Sequence, residues 1–163
     1  VANNLKIKLA GAALAATVAL VQFAEGYRPV PYRDPVGIWT DCTGHTGPDV
    51  IPGKRNTHAQ CEAKLTDDLW KAEYLVDRCY PGLTGHSKGA MVSLAFNMGP
   101  GGKGVKDGVC SLKNGNKPTM RRMWEQGNLN GMCYEIPKWN AQKLPGITKR
   151  RIAERDLCLK GLQ

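Results

Sequence analysis

The chain is expected to fold as an α+β protein, mainly helical, with a small antiparallel hairpin region near its N-terminus and helices thereafter. Three observations lead there. Its 163 residues are the length of one domain, with room for two lobes, and suffice to bury about 70% of the unfolded surface. From residue 57 onward, apolar residues recur at helical spacing between clear start and stop signals. Before that, the chain is broken by Pro29, Pro31, Pro35 and Gly37, and residues 47–56 are rich in turn formers.

Residues 1–8 are polar, with Lys6 and Lys8, and residues 9–24 (LAGAALAATVALVQFA) carry no charge. A basic start and an apolar run read first as a secretory signal. The run is Ala-rich and weakly hydrophobic, however, and as a helix it is about 24 Å long, short for a bilayer core of roughly 30 Å. One reading is an export signal that stays uncleaved and can leave the membrane. Gly11, Ala12, Ala15, Ala16 and Ala19 make it marginal in lipid, and Lys6 and Lys8 would hold its start inside. The competing reading is a plain core helix.

In the hairpin region, Ile38, Trp39 and Val50 are expected to be buried. Thr57-His-Ala-Gln60 is a capping box opening a helix over 57–80, with Ala59, Leu65, Leu69 and Leu75 on one face, and Pro81-Gly82 ends it. Residues 86–98 form the next helix, stopped by Gly99-Pro-Gly-Gly102. Residues 101–116 are a Gly- and Lys-rich loop around Cys110 without the pattern of a phosphate-binding loop. Pro118 suits the first turn of a helix over 118–126, Asn128 starts another over 128–138, and Thr148 opens the last, over 148–160. Trp39, Trp70, Trp124 and Trp139 are expected in the core.

The chain has 23 Lys and Arg against 14 Asp and Glu, a net charge of +9, which favours a polyanionic partner. Nucleic acid, an anionic membrane and bacterial cell wall all qualify. The basic residues are dispersed and no zinc-finger or RNA-recognition pattern accompanies them, so nucleic acid is not expected as a partner. The densest basic run is Lys149-Arg150-Arg151, and its Arg150 and Arg151 pair reads as a solvated face that could also touch a wall polymer. Cys42, Cys61, Cys79, Cys110, Cys133 and Cys158 include no C-x-x-C pair and meet only three histidines, which argues against zinc. Six thiols suit three disulfides in an oxidising compartment; six reduced core cysteines are the alternative, and counting alone leaves fifteen pairings open. No metal or other cofactor is expected.

The chemistry concentrates in residues 23–46, FAEGYRPVPYRDPVGIWTDCTGHT. Glu25 ends the apolar run, Asp34 follows nine positions on, and Thr40 six beyond that. Cleaving a glycosidic bond requires an acid to protonate the leaving oxygen and a second carboxylate to activate water or stabilise the developing cation. An acid emerging from an apolar helix would be partly desolvated and keep its proton longer, while Asp34, beside Arg33 and a turn, would stay ionised. Two acids nine apart are nevertheless common and usually lie on solvated surface. His45 is expected to be structural, paired with an acid across the lobe.

The wider wording adds specificity. Glu25-Gly26, Tyr32, Asp34, Gly37, Thr40 and Gly44-His45 resemble the catalytic signature of the phage-type (T-even-like) lysozymes, and the resemblance continues through Ser93-Leu-Ala-Phe-Asn-Met-Gly99, Lys138-Trp139 and residues 144–155. It implies a lysozyme-like fold with a small N-terminal β-hairpin lobe, a long connecting helix and a helical C-terminal lobe. It implies hydrolysis of the β-1,4 bond between N-acetylmuramic acid and N-acetylglucosamine in peptidoglycan, with Glu25 as general acid and Asp34 and Thr40 holding the water. Thr46 and Phe96 would contact substrate. It also implies the pairs Cys42 with Cys61, Cys79 with Cys110, and Cys133 with Cys158.

The N-terminal segment resembles that of the signal-arrest-release endolysins of phages and prophages, because the resembled lysozymes need a helix just before the acid. Residues 1–24 would be that segment and 25–163 the enzyme domain. The bacterial inner membrane would hold an inactive form through residues 9–24, and release would give a soluble, active, monomeric form in the host periplasm. A lytic transglycosylase is the nearest rival, which the presence of both Asp34 and Thr40 disfavours. A non-catalytic, cationic, membrane-active protein is the rival from another class.

Overall fold

In the computed structural model, which describes residues 7–163, the first element is α1, Gly11–Glu25. Its alanines favour helix and no proline interrupts it. Ala13, Thr17 and Val21 form a buried row at four-residue spacing, and the buried Thr17 hydroxyl donates to the Ala13 carbonyl at 2.8 Å. Gly26, at φ 73°, turns the chain out of the helix. Lys6 lies outside the described residues. Among the described residues no helix is long and apolar enough to cross a membrane.

Strand β1 (Arg28–Arg33) pairs antiparallel with β2 (Trp39–Cys42), which pairs antiparallel with β3 (His45–Thr46). The register sets Tyr32 opposite Thr40 and Thr40 opposite Thr46, and a bulge interrupts the ladder between Arg28 and Tyr32. Residues 47–56 cross as an irregular segment tied to β1 by the Asn56 amide, which donates to the Pro29 carbonyl at 2.8 Å. Val50 is buried as expected, but Ile38 is 51% exposed and Trp39 only half-buried. Ile38 sits in the β1–β2 turn, where its N–H is turned to Asp34 and its side chain to solvent; Trp39 instead stacks under the Arg33 guanidinium at 4.8 Å.

Helix α2, His58–Cys79, opens with both halves of the capping box: Gln60 N donates to Thr57 Oγ1 and Thr57 N to Gln60 Oε1. Its buried row runs through Cys61, Leu65, Leu69, Ala72, Val76 and Cys79. Ala59 is exposed, because the buried row begins two residues later at Cys61, and Leu75 is only partly buried. Helix α3, Gly85–Met98, is the centre of the core, buried continuously from Ser87 to Ala95 and flanked by α1, α2 and α6.

Helix α4 is Thr119–Glu125, with Pro118 just before it at the N-cap position and not in the first turn, and α5 is Leu129–Glu135, capped by the Asn128 side chain. Beyond α5 a 3-10 turn covers Ile136–Lys138, because Pro137 has no N–H to continue the α-ladder. The last helix, α6, is Pro145–Lys160, three residues earlier than Thr148 suggested. Proline is pre-set for the first turn, and Thr148 instead donates its hydroxyl back to Leu144 at 3.1 Å. Disulfides join Cys42 to Cys61, Cys79 to Cys110, and Cys133 to Cys158, the pairs the resemblance implies. The four tryptophans are half-buried; Trp124 and Trp139 pack against the core from its edge.

Candidate active site

Glu25 is the last residue of α1, so burial of the helix row sets where its carboxylate points. Oε1 accepts from Arg150 Nη1. Oε2 lies against Gly44, where an added Cβ would sit 2.9 Å from it. Gly44 also has φ 68°, which disfavours any larger residue. The glycine in the β2–β3 turn thus makes the room the acid occupies.

Arg150 and Arg151 are not a solvated face: both are buried, Arg151 to 1% exposure. Arg150 donates through Nε to Glu154 Oε1 at 3.0 Å and through Nη2 to the Ser93 carbonyl at 3.1 Å. Arg151 donates to Glu154 Oε2 at 2.7 Å, to the Trp139 carbonyl at 2.9 Å and to Asn97 Oδ1. Ser93 completes the cluster by donating to Glu154 at 2.7 Å. Glu25 and Glu154 balance the two guanidiniums, which is what lets four charges share a desolvated site. Burial pulls Arg151 below the ordinary arginine value, and the charge of Glu154 opposes that pull. The pairing of Arg150 with Glu25 spans 125 residues and has no local pattern; only the Arg150–Glu154 and Arg151–Glu154 spacings, four and three along a helix, could have hinted at burial.

Asp34 sits in the β1–β2 turn. Its Oδ1 accepts from Val36 N at 3.0 Å and Ile38 N at 2.8 Å, and Gly37, at φ 86°, closes the turn. None of the described hydrogen bonds takes Oδ2. Thr40 is buried on β2, its hydroxyl donating to the Ile38 carbonyl at 3.2 Å. That carbonyl also closes the turn, accepting from Asp34 N at 2.9 Å. Asp34 and Thr40 are therefore tied to one backbone segment.

Thr46 on β3 and Phe96 on α3 both line an open groove of about 390 Å³, together with Gly44, Lys71, Tyr74 and Pro100. Beside it, His45 is buried and bonded on both ring nitrogens, Nδ1 to Asp68 at 2.6 Å and Nε2 to Asp49 at 3.0 Å. This ties β3 to α2. Burial works against the protonated ring, but the hydrogen bonds to Asp49 and Asp68 win and raise its pKa above 6.5. Asp49 moves the other way, chiefly through its hydrogen bond to His45. Among the described residues no group of three or more His, Cys, Asp or Glu is placed to hold a metal ion.

A small sheet lobe, a long helix leading from it and a helical lobe, with an acid at the end of a helix beside the groove, define a lysozyme-like protein. The phage lysozyme family model matches residues 22–154, and the chain belongs to that family. A "SAR-endolysin" of bacteriophage PS119 is 32% identical over 99% of this chain and 95% of its own length. Among solved structures, the active form of the phage P1 endolysin is similar at 29% identity and a TM-score of 0.79, over 97% of this chain and 88% of that one. The secreted inactive form of the P1 endolysin is also similar, at 26% identity and a TM-score of 0.55, over 91% of this chain and 96% of that one.

Proposed function

We propose that this chain is a phage or prophage endolysin that hydrolyses peptidoglycan between N-acetylmuramic acid and N-acetylglucosamine. The observation carrying this reading is the state of the Glu25 carboxylate, one oxygen held by Arg150 and the other at the Gly44 edge of the groove. Glu25 is the general acid: with Oε1 kept on Arg150, the carboxyl takes up a proton on Oε2 before the chemical step and delivers it to the glycosidic oxygen, returning to the carboxylate. Asp34, oriented through Oδ1, offers its other oxygen to a water, and Thr40 steadies that water on the opposite face of the sugar, an inverting arrangement. Thr46 and Phe96 contact the glycan from the two sides of the groove.

Reducing-end analysis of digested peptidoglycan tests the bond assignment. New N-acetylmuramic acid reducing ends are expected; anhydro ends would mean a transglycosylase, and N-acetylglucosamine ends a glucosaminidase. Because the acid acts only in the transition state, Glu25→Gln should abolish turnover with wall binding retained. Lysis surviving in Glu25→Gln would point to the membrane-active rival.

The same reading includes export and regulation. Residues 9–24 hold the chain in the inner membrane of the host, with Glu25 at the lipid surface and out of register with Asp34 and Thr40. Release into the periplasm lets the segment pack as α1 and present the acid. The names of the relatives support this, as does the greater likeness to the active than to the inactive P1 form. So does the outer face of α1, where Ala12, Ala15, Ala19 and Phe23 are exposed, Phe23 to 83%.

A further inference from the structure

A second polar cluster lies at the opposite end of α1 from Glu25. Glu73, on α2, is 2% exposed, yet its carboxylate accepts from the backbone of the chain entering α1: Lys8 N donates to Oε2 at 2.7 Å and Leu9 N to Oε1 at 2.8 Å. Lys88, buried on α3, holds Glu73 at 2.9 Å and Asp77 at 2.8 Å. Without the N-terminal residues these three groups carry two negative charges and one positive. The Lys8 ammonium, 3.2 Å from Asp77, brings them to neutrality. Lys88 keeps Glu73 paired whether or not the segment is seated, so removing the segment exposes a ready acceptor without leaving a bare buried charge.

Two turns further along, α1 meets α3 at a contact that admits no side chain on one partner. A Cβ on Gly89 would lie 2.3 Å from Thr17 Oγ1 and 3.3 Å from the Ala13 carbonyl. Gly89 has no left-handed backbone requirement and sits inside a helix, where glycine costs about 1 kcal/mol relative to alanine. The close approach of α1 is what it provides. Leu9, Ala13, Thr17 and Val21 are the buried positions of one four-residue row, and Glu25 is its next member.

We propose that Glu73, held by Lys88, is a latch that captures the backbone of Lys8 and Leu9, and that with the Thr17–Gly89 contact it sets the register of α1 and so the position of Glu25. It rests on the reading of Glu25 as the acid. Glu73 and Gly89 are positioning residues: they lie outside the groove and act through the helix.

The test uses the full chain in its released form, with soluble peptidoglycan fragments as substrate and hydrogen exchange of residues 8–24 as a readout independent of activity. Gly89→Ala sets a methyl against Thr17 Oγ1 and the Ala13 carbonyl, so Thr17 must turn and α1 must give by a few tenths of an ångström; it should lower kcat several-fold at unchanged KM and speed exchange in residues 8–24 while the α2 and α3 amides stay protected. Gly89→Ala with Thr17→Ala removes the clashing hydroxyl and should restore both kcat and protection. Glu73→Gln, which cannot offer two acceptor oxygens, should deprotect Lys8 and Leu9 and lower kcat. Parental kcat and protection in Gly89→Ala or Glu73→Gln, or no recovery in the double variant, overturns the latch. Glu25→Gln should keep the segment fully protected. If that variant remains active while the latch variants lose protection, the acid assignment fails and the latch stands.

Discussion

Gly44 and Arg150 hold the two oxygens of Glu25 from opposite sides, one by having no side chain and the other by ion pairing. Gly44→Ala would place a carbon 2.9 Å from Oε2 in a left-handed turn, so the acid must rotate away. Turnover should fall on the order of 100-fold with KM nearly unchanged, read by steady-state kinetics on soluble wall fragments. His45 makes a different residue-scale prediction. Its folded pKa lies above the unfolded value of 6.5, so its links to Asp68 and Asp49 contribute fully below that pH and fade as pH rises through the folded pKa. Asp49, lowered from 3.8, contributes above that value and loses its contribution as pH falls through its folded pKa. Lys64, paired with Asp41 and Asp49, and Lys71, 3.4 Å from Asp68, are further charges facing this site. The melting-temperature difference between the parent and His45→Asn should be largest between about pH 4 and 6.5 and shrink above it; a difference that grows with pH contradicts the assignment.

At the scale of elements, α1 carries two demands that pull against each other. On the proposed membrane reading it must be apolar enough for lipid, while packing requires it small enough to approach α3 at Gly89, and an Ala-rich sequence with one buried threonine suits both. Its exposed positions allow the membrane reading to be tested without disturbing the packed state. Ala12 and Ala15 are both exposed, whereas Gly11, at φ 56°, would be strained by a larger residue. Ala12→Leu with Ala15→Leu should strengthen membrane retention through added apolar area, delaying lysis after an uncoupler is added. Release and lysis on the parental schedule would leave α1 a purely structural helix.

Across the whole molecule, the three disulfides staple β2 to α2, the end of α2 to the Gly-rich loop, and α5 to α6. Their separations of 19, 31 and 25 residues correspond to about 3.5 kcal/mol each on the chain-entropy model. Non-reducing peptide mapping should recover these three pairs, and replacing Cys79 and Cys110 together by alanine should lower unfolding free energy by about that amount in urea. A dominant 61–79 pair would refute the map. The net charge of +9 is carried by residues other than the buried Arg150, Arg151 and Lys88, whose charges are matched inside the protein. Surface lysines and arginines are therefore the ones left free to attract a polyanionic partner.

The sequence by itself determined the elements whose signals are local. The Thr57–Gln60 capping box, the Gly99 stop and the Pro and Gly turns around Asp34 each act within a few residues, and the structure places them where those signals stand. Helix starts shifted where two local signals competed, as at Pro145 and Thr148. Partners far apart in the chain were decided by tertiary structure alone. Arg150 reads as solvated because its sequence neighbours are basic, and it is buried because α6 packs on α3 and meets Glu25 from 125 positions away. Ile38 reads as core because it is apolar, and it is exposed because its backbone serves the Asp34 turn. Glu73 and Lys88 carry no local mark at all: a charged pair on two helices becomes a seat for the N-terminal chain only when α1, α2 and α3 come together. Charges lose their water only on packing, so which of them pair is settled by the packed structure and not by the order of residues along the chain.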